Sequence, residues 1–159
     1  MKKKNTLLLF LCLFSLWAVA QEKKPVKIAC VGNSITYGSG IKNQFQNSYP
    51  GLLSQLLGEG YDVRNFGISA RVLLNKGDHP YMHEQKFRDL LAFQPDIVTI
   101  KLGTNDSKPW NWRYGKDFKK DLTEMLDILQ ELPSKPKIYL CLPVPAVKRN
   151  FGINDSVIT

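Results

Sequence analysis

Four short apolar runs divide the chain, and each of them stops at a glycine or a proline. Runs that are apolar throughout, rather than alternating, are typical of parallel strands buried on both faces. We therefore predict four buried strands, each followed directly by a loop. Their ranges are 26–32, 61–66, 96–102 and 137–142, with Gly32, Gly67, Gly103 and Pro143 at their ends.

Helical spacing of apolar residues fills the segments between these runs. The pattern predicts a helix around 52–57, with Ser48 and Pro50 as start signals, and two others around 87–91 and 118–129. Residues 154–156 look like the start of one more helix. Strands that alternate with helices indicate an α/β fold in which a parallel sheet carries helices on both faces.

The first twenty residues have the features of a signal peptide. Lysines at positions 2–4 precede an apolar run, and 18–20 reads Ala-Val-Ala, a pattern typical of signal peptidase sites. The apolar stretch of about 14 residues is shorter than the ~20 that a membrane span needs. We predict cleavage after Ala20, a single domain over 21–159, and a secreted or periplasmic protein without a stable membrane anchor.

Charge and cysteine content narrow the class of protein. The 159 residues include 22 basic and 14 acidic ones, and removing 1–20 leaves 19 basic and 14 acidic residues, a net charge of +5. The basic residues are scattered, which argues against a nucleic-acid partner. Cys30 and Cys141 lie inside apolar runs, so we predict two buried free thiols. No cofactor or metal is expected.

Candidate chemistry follows the first strand. Ligands of open parallel sheets bind beyond the carboxyl ends of the strands. Ser34 lies there, placed for nucleophilic attack, with its own N–H available to a developing oxyanion. A polar turn that caps a helix is the alternative. The segment does not fit the G-x-S-x-G elbow, the dinucleotide fingerprint or the Walker motif.

The second and third strands are followed by further candidates. Gly67, in Asn-Phe-Gly-Ile-Ser, would let the backbone approach a ligand closely and offers an unhindered N–H. After the third strand, 103–107 reads Gly-Thr-Asn-Asp-Ser, where Asn105 supplies an amide donor suited to an oxyanion and Asp106 can fix the loop.

Together the three segments resemble the first three sequence blocks of the SGNH (GDSL-like) hydrolases. The resemblance implies a flavodoxin-like three-layer α/β/α fold with a parallel sheet. It implies that Ser34 is the nucleophile, and that the Ser34 N–H, the Gly67 N–H and the Asn105 amide form the oxyanion hole. Asn33 stands where the family name implies Asp, and it retains a turn-forming side chain.

The chain departs from the family pattern at the general base. In the family this base is a His in an Asp-x-x-His segment near the C-terminus of the domain. This chain has only His79 and His83, both between strands two and three, and we expect them to be surface or packing residues rather than metal ligands. We therefore expect four strands with the fifth missing, the N-terminal two-thirds of the domain, and no turnover by this fragment alone. An uncovered fourth strand would favour self-association.

Two tryptophans follow the Asn105 loop. Trp110 and Trp112 could stack on a sugar ring or an acyl group, or pack under the loop. A secreted esterase with such a rim resembles the carbohydrate and sialate O-acetylesterases of the family, so we predict a glycan or small-molecule ester substrate, with Asp106, Trp110 and Trp112 contacting it. A lipase or thioesterase of the same family and a non-catalytic carbohydrate-binding protein are the alternatives.

Overall fold

The computed structural model describes residues 24–146 and 150–158 of the chain. The predicted signal peptide and its cleavage site lie outside these residues. None of the helices in the described residues is long and apolar enough to cross a membrane.

Four parallel strands form one sheet in the order β2-β1-β3-β4. All four predicted strands are present, with ends within two residues of the predicted ones. The sheet order equals the first four positions of the flavodoxin-like order, so the predicted fold class is confirmed. The strands are β1 (Val26–Gly32), β2 (Tyr61–Gly67), β3 (Ile97–Lys101) and β4 (Lys137–Leu140).

Helices occupy the predicted intervals, and several short ones lie in the loops. The helix predicted around 52–57 begins earlier, after Ser48, with Pro50 in its first turn. The helices are α1 (Ser34–Tyr37), α2 (Gln44–Asn47), α3 (Tyr49–Leu57), α4 (Gln85–Phe93), α5 (Pro109–Trp112), α6 (Phe118–Gln130) and α7 (Asp155–Ile158), with 3-10 turns at Tyr81–His83, Gly115–Asp117 and Asn150–Gly152.

Both faces of the sheet are covered at its centre. Ala29, Cys30 and Val31 are successive residues of β1, and none has any exposed surface. Because successive side chains of a strand point to opposite faces, burial of all three requires packing on both sides. Ala29 and Val31 belong to the core that includes Leu90 of α4 and Met125 of α6. On the opposite face, Tyr49 of α3 reaches the sheet, where its hydroxyl hydrogen-bonds Thr99 Oγ1 at 3.2 Å.

The β4 strand forms one edge of the sheet and is largely exposed. Cys141 N still donates to Ile100 O at 2.8 Å, which extends the pairing one residue past the strand. The Cys141 side chain is exposed, so the prediction that it is buried is wrong, whereas Cys30 is buried as predicted. The reason is position: Cys30 lies in a central strand, and no described strand pairs with the outer edge of β4. Leu142 is 87% exposed. Self-association through this edge stays a prediction.

Candidate active site

Three loops begin side by side at the carboxyl ends of β1, β2 and β3. Gly32, the last residue of β1, pairs with Gly67 of β2 on one side and with Lys101 of β3 on the other. Neighbouring strands lie about 4.8 Å apart, so the loops begin close together. The chain order reverses between β1 and β3, which is where open α/β sheets bind ligands.

Ser34 is the first residue of α1, directly beyond β1. Asn33 precedes it as the N-cap, with its Oδ1 accepting a hydrogen bond from Ile35 N at 3.0 Å. A residue in the first turn of a helix has no intrahelical acceptor for its N–H. No described residue hydrogen-bonds the Ser34 Oγ, and the side chain is half-buried. Among the described residues, neither the Ser34 N–H nor the Ser34 Oγ therefore has a hydrogen-bond partner.

Close packing around the end of β1 explains the glycine there. A Cβ atom at Gly32 would lie 2.1 Å from Thr36 Oγ1 and 2.8 Å from Lys101 O. Real Cβ atoms do not approach other atoms this closely, so only glycine fits between Thr36 of α1 and the backbone of β3. The turn that presents Ser34 therefore depends on Gly32.

Gly67 lies directly against α1. A Cβ atom there would be 2.3 Å from Tyr37 N and 2.8 Å from the Thr36 carbonyl carbon. The close backbone approach expected of this glycine is therefore present. Its partner, however, is the helix that carries Ser34.

The Gly67 N–H is already engaged. It donates to Asn65 Oδ1 at 2.8 Å. Asn65 Nδ2 in turn donates to Thr36 O at 2.9 Å and to Tyr37 O at 3.3 Å, which ties the end of α1 to β2. In this structure the Gly67 N–H is directed at Asn65 Oδ1, and its expected role as an oxyanion donor stays a prediction.

Asn105 is held on the loop after β3. Its side chain is nearly buried, with 7% of its surface exposed, and Nδ2 donates to Arg71 O at 3.0 Å. The second N–H of this amide has no partner among the described residues. Gly103, with φ of +112°, begins the loop in a conformation that favours glycine. Asn105 thus retains one amide proton for a ligand.

Asp106 anchors two loops to each other. Its Oδ1 accepts hydrogen bonds from Leu73 N and Leu74 N, both at 2.8 Å. The side chain has no exposed surface, so the prediction that Asp106 contacts substrate is corrected, while its expected role in fixing the loop is present. Burial raises the pKa of this carboxyl, and the hydrogen bonds from backbone N–H groups oppose that rise only in part.

A second anchor joins the same loops further along. Asn111 of α5 is fully buried, and its Nδ2 donates to Asn105 O at 3.0 Å and to Asp78 Oδ1 at 3.1 Å. Its Oδ1 accepts from Asp78 N at 2.9 Å. Burial acts to raise the pKa of the Asp78 carboxyl, but hydrogen bonds from Trp110 and Asn111 outweigh it, so the pKa lies below its ordinary value.

The two tryptophans differ in what they contact. Trp110 is 47% exposed, and its indole N–H donates to Asp78 Oδ2 at 3.0 Å. Trp112 packs its ring 5.9 Å from that of Phe118 and lines an apolar groove of about 270 Å³ between α6 and the end of β4. Trp110 is therefore the better placed of the two for stacking on a ligand.

The two histidines lie on the surface, as expected. Both His79 and His83 are exposed, and neither ring hydrogen-bonds Ser34. Within 24–146 and 150–158, no group of three or more His, Cys, Asp or Glu side chains could hold a metal ion.

Sequence reasoning missed Asn65, Asp78 and Asn111. Asn65 stands two residues before a glycine, the spacing at which an Asn side chain accepts from a later N–H, and this signal could have been read. No local pattern points to Asp78 or Asn111, because their contacts join segments that are 33 residues apart.

The sequence of the chain is similar to one protein family and to a known relative. The sequence profile of the GDSL-like lipase/acylhydrolase family matches residues 30–157, most of the chain. The chain belongs to this family. A curated relative, the acetylxylan esterase of Xylanibacter ruminicola, is 48% identical over 157 residues, with 88% of this chain and 33% of the relative covered. The chain thus spans about a third of the length of that relative.

Solved structures share the fold of this family member. A carbohydrate acetylesterase from Sinorhizobium meliloti, Est24, superposes with a TM-score of 0.60 and is 22% identical, with 76% of this chain and 65% of that chain covered. An arylesterase-like protein from Agrobacterium tumefaciens superposes with a TM-score of 0.65 at 20% identity, with 83% and 73% covered. These similarities establish the α/β fold.

Proposed function

We propose that this chain carries the nucleophile and part of the oxyanion hole of a serine ester hydrolase that acts on carbohydrate esters. The observation that carries the proposal is the placement of Ser34. It opens α1 at the paired ends of β1, β2 and β3, with its N–H and Oγ both unoccupied among the described residues. Membership of the GDSL-like family supports the same reaction class.

In the first step the Ser34 Oγ attacks the ester carbonyl carbon. The tetrahedral intermediate places negative charge on the former carbonyl oxygen, which the Ser34 N–H and the unpaired N–H of the Asn105 amide stabilise. The ester C–O bond then breaks, and the serine proton passes through a general base to the departing alcohol. Water hydrolyses the acyl-enzyme in a second, equivalent step. Neither exposed histidine is assigned as the base.

The substrate class is proposed to be an O-acetylated or short-acylated polysaccharide. The name of the 48% identical relative, acetylxylan esterase, supports an acetyl group on xylan. The exposed ring of Trp110, held beside the Asn105 loop by Asp78, offers a face on which a sugar ring can stack. Export of the protein with cleavage after Ala20 is part of the proposal, and a mature N-terminus other than Gln21 would contradict that part.

Ser34→Ala tests the nucleophile. In the protein at its natural length, this change should abolish hydrolysis of p-nitrophenyl acetate and labelling by a fluorophosphonate probe. Ser54→Ala, a half-buried serine of α3 outside the site, is the matched control and should leave both signals intact. Unchanged turnover in Ser34→Ala would refute the assignment. Binding of a glycan by a wild-type protein that neither hydrolyses nor is labelled would favour a carbohydrate-binding protein.

Trp110→Ala and Trp110→Phe test the substrate class. Loss of the ring should lower the release of acetate from acetylated xylan by about 10-fold, on the scale of one aromatic stacking contact, and should leave p-nitrophenyl acetate hydrolysis largely unchanged. Trp110→Phe loses the N–H that bonds Asp78 but retains an aromatic face. Because the face is what stacks on the sugar ring, this variant should recover most of the xylan activity. Equal losses on both substrates would argue against stacking.

A further inference from the structure

The side chain of Asn111 is the feature that the proposed reaction leaves unexplained. It is fully buried, yet it makes three hydrogen bonds, and none of them supports a strand or a long helix. Two of the three join it to Asp78 in a reciprocal pair. The third, from Nδ2 to the carbonyl oxygen of Asn105, connects it to the candidate oxyanion donor.

Asn105 is consequently held from two directions. Asn111 fixes its backbone carbonyl at 3.0 Å, while Arg71 O holds one proton of its side-chain amide, also at 3.0 Å. The remaining amide proton therefore has a defined direction. Donors that are oriented before the reaction stabilise an oxyanion best, because no reorganisation is needed when the charge develops.

We propose that Asn111 is a positioning residue that orients the Asn105 amide, and that Asp78 in turn orients Asn111. This inference rests on the proposed function, in which Asn105 stabilises the tetrahedral intermediate. The Asp78 carboxylate also accepts the indole N–H of Trp110 through its other oxygen. One surface carboxylate thus fixes both the positioning amide and the exposed ring beside it.

Other bonds keep the two loops together without Asn111. Asp106 joins the two loops by accepting from Leu73 N and Leu74 N, and Asp121 of α6 holds the first loop separately, its Oδ2 accepting from Asn75 N at 2.7 Å. Because these anchors are separate, a change at Asn111 should free Asn105 to reorient while the loops stay in place. This separates a positioning role from a purely structural one.

Asn111→Asp is the first test, made in the protein at its natural length with p-nitrophenyl acetate as substrate. The carboxylate has the shape of the amide but places an acceptor where Nδ2 now donates to Asn105 O. We expect kcat to fall about 10- to 100-fold, the scale of a small misplacement of a catalytic group, with KM essentially unchanged. Asn47→Asp is the matched control, since Asn47 Nδ2 also donates to a backbone carbonyl, Lys42 O, at 2.8 Å. It should leave kcat unchanged.

A double-mutant cycle with Asn105→Ala decides whether Asn111 acts through Asn105. Asn105→Ala should lower kcat by about 10² to 10³. If Asn111 works only by orienting Asn105, adding Asn111→Asp should lower kcat no further. Independent losses that multiply, or a rise of KM at constant kcat in Asn111→Asp alone, would overturn the inference.

A second variant covers the case in which Asn111→Asp does not fold. The exchange Asp78→Asn/Asn111→Asp restores a donor and an acceptor between the two side chains but leaves Asn105 O without its donor. We expect the melting temperature to recover and kcat to stay low. Recovery of kcat together with stability would overturn the inference. Two results distinguish failure of this inference from failure of the proposed function. A wild-type kcat in Asn111→Asp, together with loss of activity in Ser34→Ala, would refute only the positioning role. Full activity in Ser34→Ala would refute the proposed function itself.

Discussion

Replacement of Asp106 tests how the two site loops are held together. In Asp106→Ala, the N–H groups of Leu73 and Leu74 lose their acceptor in a region where both residues are at most 1% exposed. Each orphaned buried N–H costs about 1–3 kcal/mol. Relief of the buried charge offsets part of the total, so we expect the free energy of unfolding to fall by about 2–4 kcal/mol, a large share of the roughly 5–15 kcal/mol of an average domain.

Asp106→Asn separates the hydrogen bonds from the charge. The Asn side chain can still present an oxygen to both N–H groups, and its NH₂ replaces Asp106 Oδ2, a buried atom with no partner among the described residues. We therefore expect a change in the free energy of unfolding within about 1 kcal/mol at pH 7. The contrast between the Ala and Asn variants, rather than either value alone, measures what the two bonds contribute.

The difference in stability between the wild type and Asp106→Asn should change with pH in a defined direction. Burial raises the pKa of Asp106 in the folded state, so between the unfolded value of about 3.9 and the raised folded value the folded protein binds more protons. The stability of the wild type is then lost as pH rises through that window. Asn does not titrate there, so Asp106→Asn should gain stability relative to wild type as pH rises above the unfolded value.

Urea unfolding followed by far-UV circular dichroism at several pH values provides the measurement, with equal m values as the check that the unfolded states are comparable. Equal losses in the Ala and Asn variants would refute the role of the two hydrogen bonds. A wild-type minus Asn difference that is flat or has the opposite slope with pH would refute the raised pKa.

Further predictions concern the glycine at the site, the thiols and the sheet edge. Gly67→Ala should destabilise the protein by about 1–3 kcal/mol and lower its activity, because the new Cβ meets Tyr37 N, whereas Gly60→Ala, with no atom within 4 Å of its Cβ position, should be neutral in urea unfolding and in turnover. In native 21–159 protein, Cys141 should react with a thiol reagent at once, and Cys30 only after unfolding, so a second fast thiol would contradict its burial. The exposed β4 edge should cause concentration-dependent self-association of 21–159 in sedimentation experiments, and Leu142→Lys should reduce it; a monomer at all concentrations would contradict this.

The sequence predicts the sheet because the deciding interactions are local. A short apolar run that ends at glycine or proline implies a strand, although not its burial, so the four strands and three main helices follow without knowledge of the fold. The same holds for Gly32, Ser34 and Asn105, which are found by their place at the end of a strand or in the loop that follows it. A parallel sheet brings such positions to one edge whatever the rest of the chain does.

Tertiary structure decides how the site residues are held, because the relevant bonds join distant segments. Asp106 reaches Leu73 across 33 residues, and its burial removes it from the substrate surface. Asn65 Nδ2 reaches Thr36 O, 29 residues away, only because the fold brings α1 against β2. Cys141 and Cys30 lie in similar apolar runs, and only the strand order makes one an edge residue and the other a core residue. Sequence thus determines which side chains lie at the carboxyl ends of the strands, and packing determines which of their hydrogen-bond donors remain free.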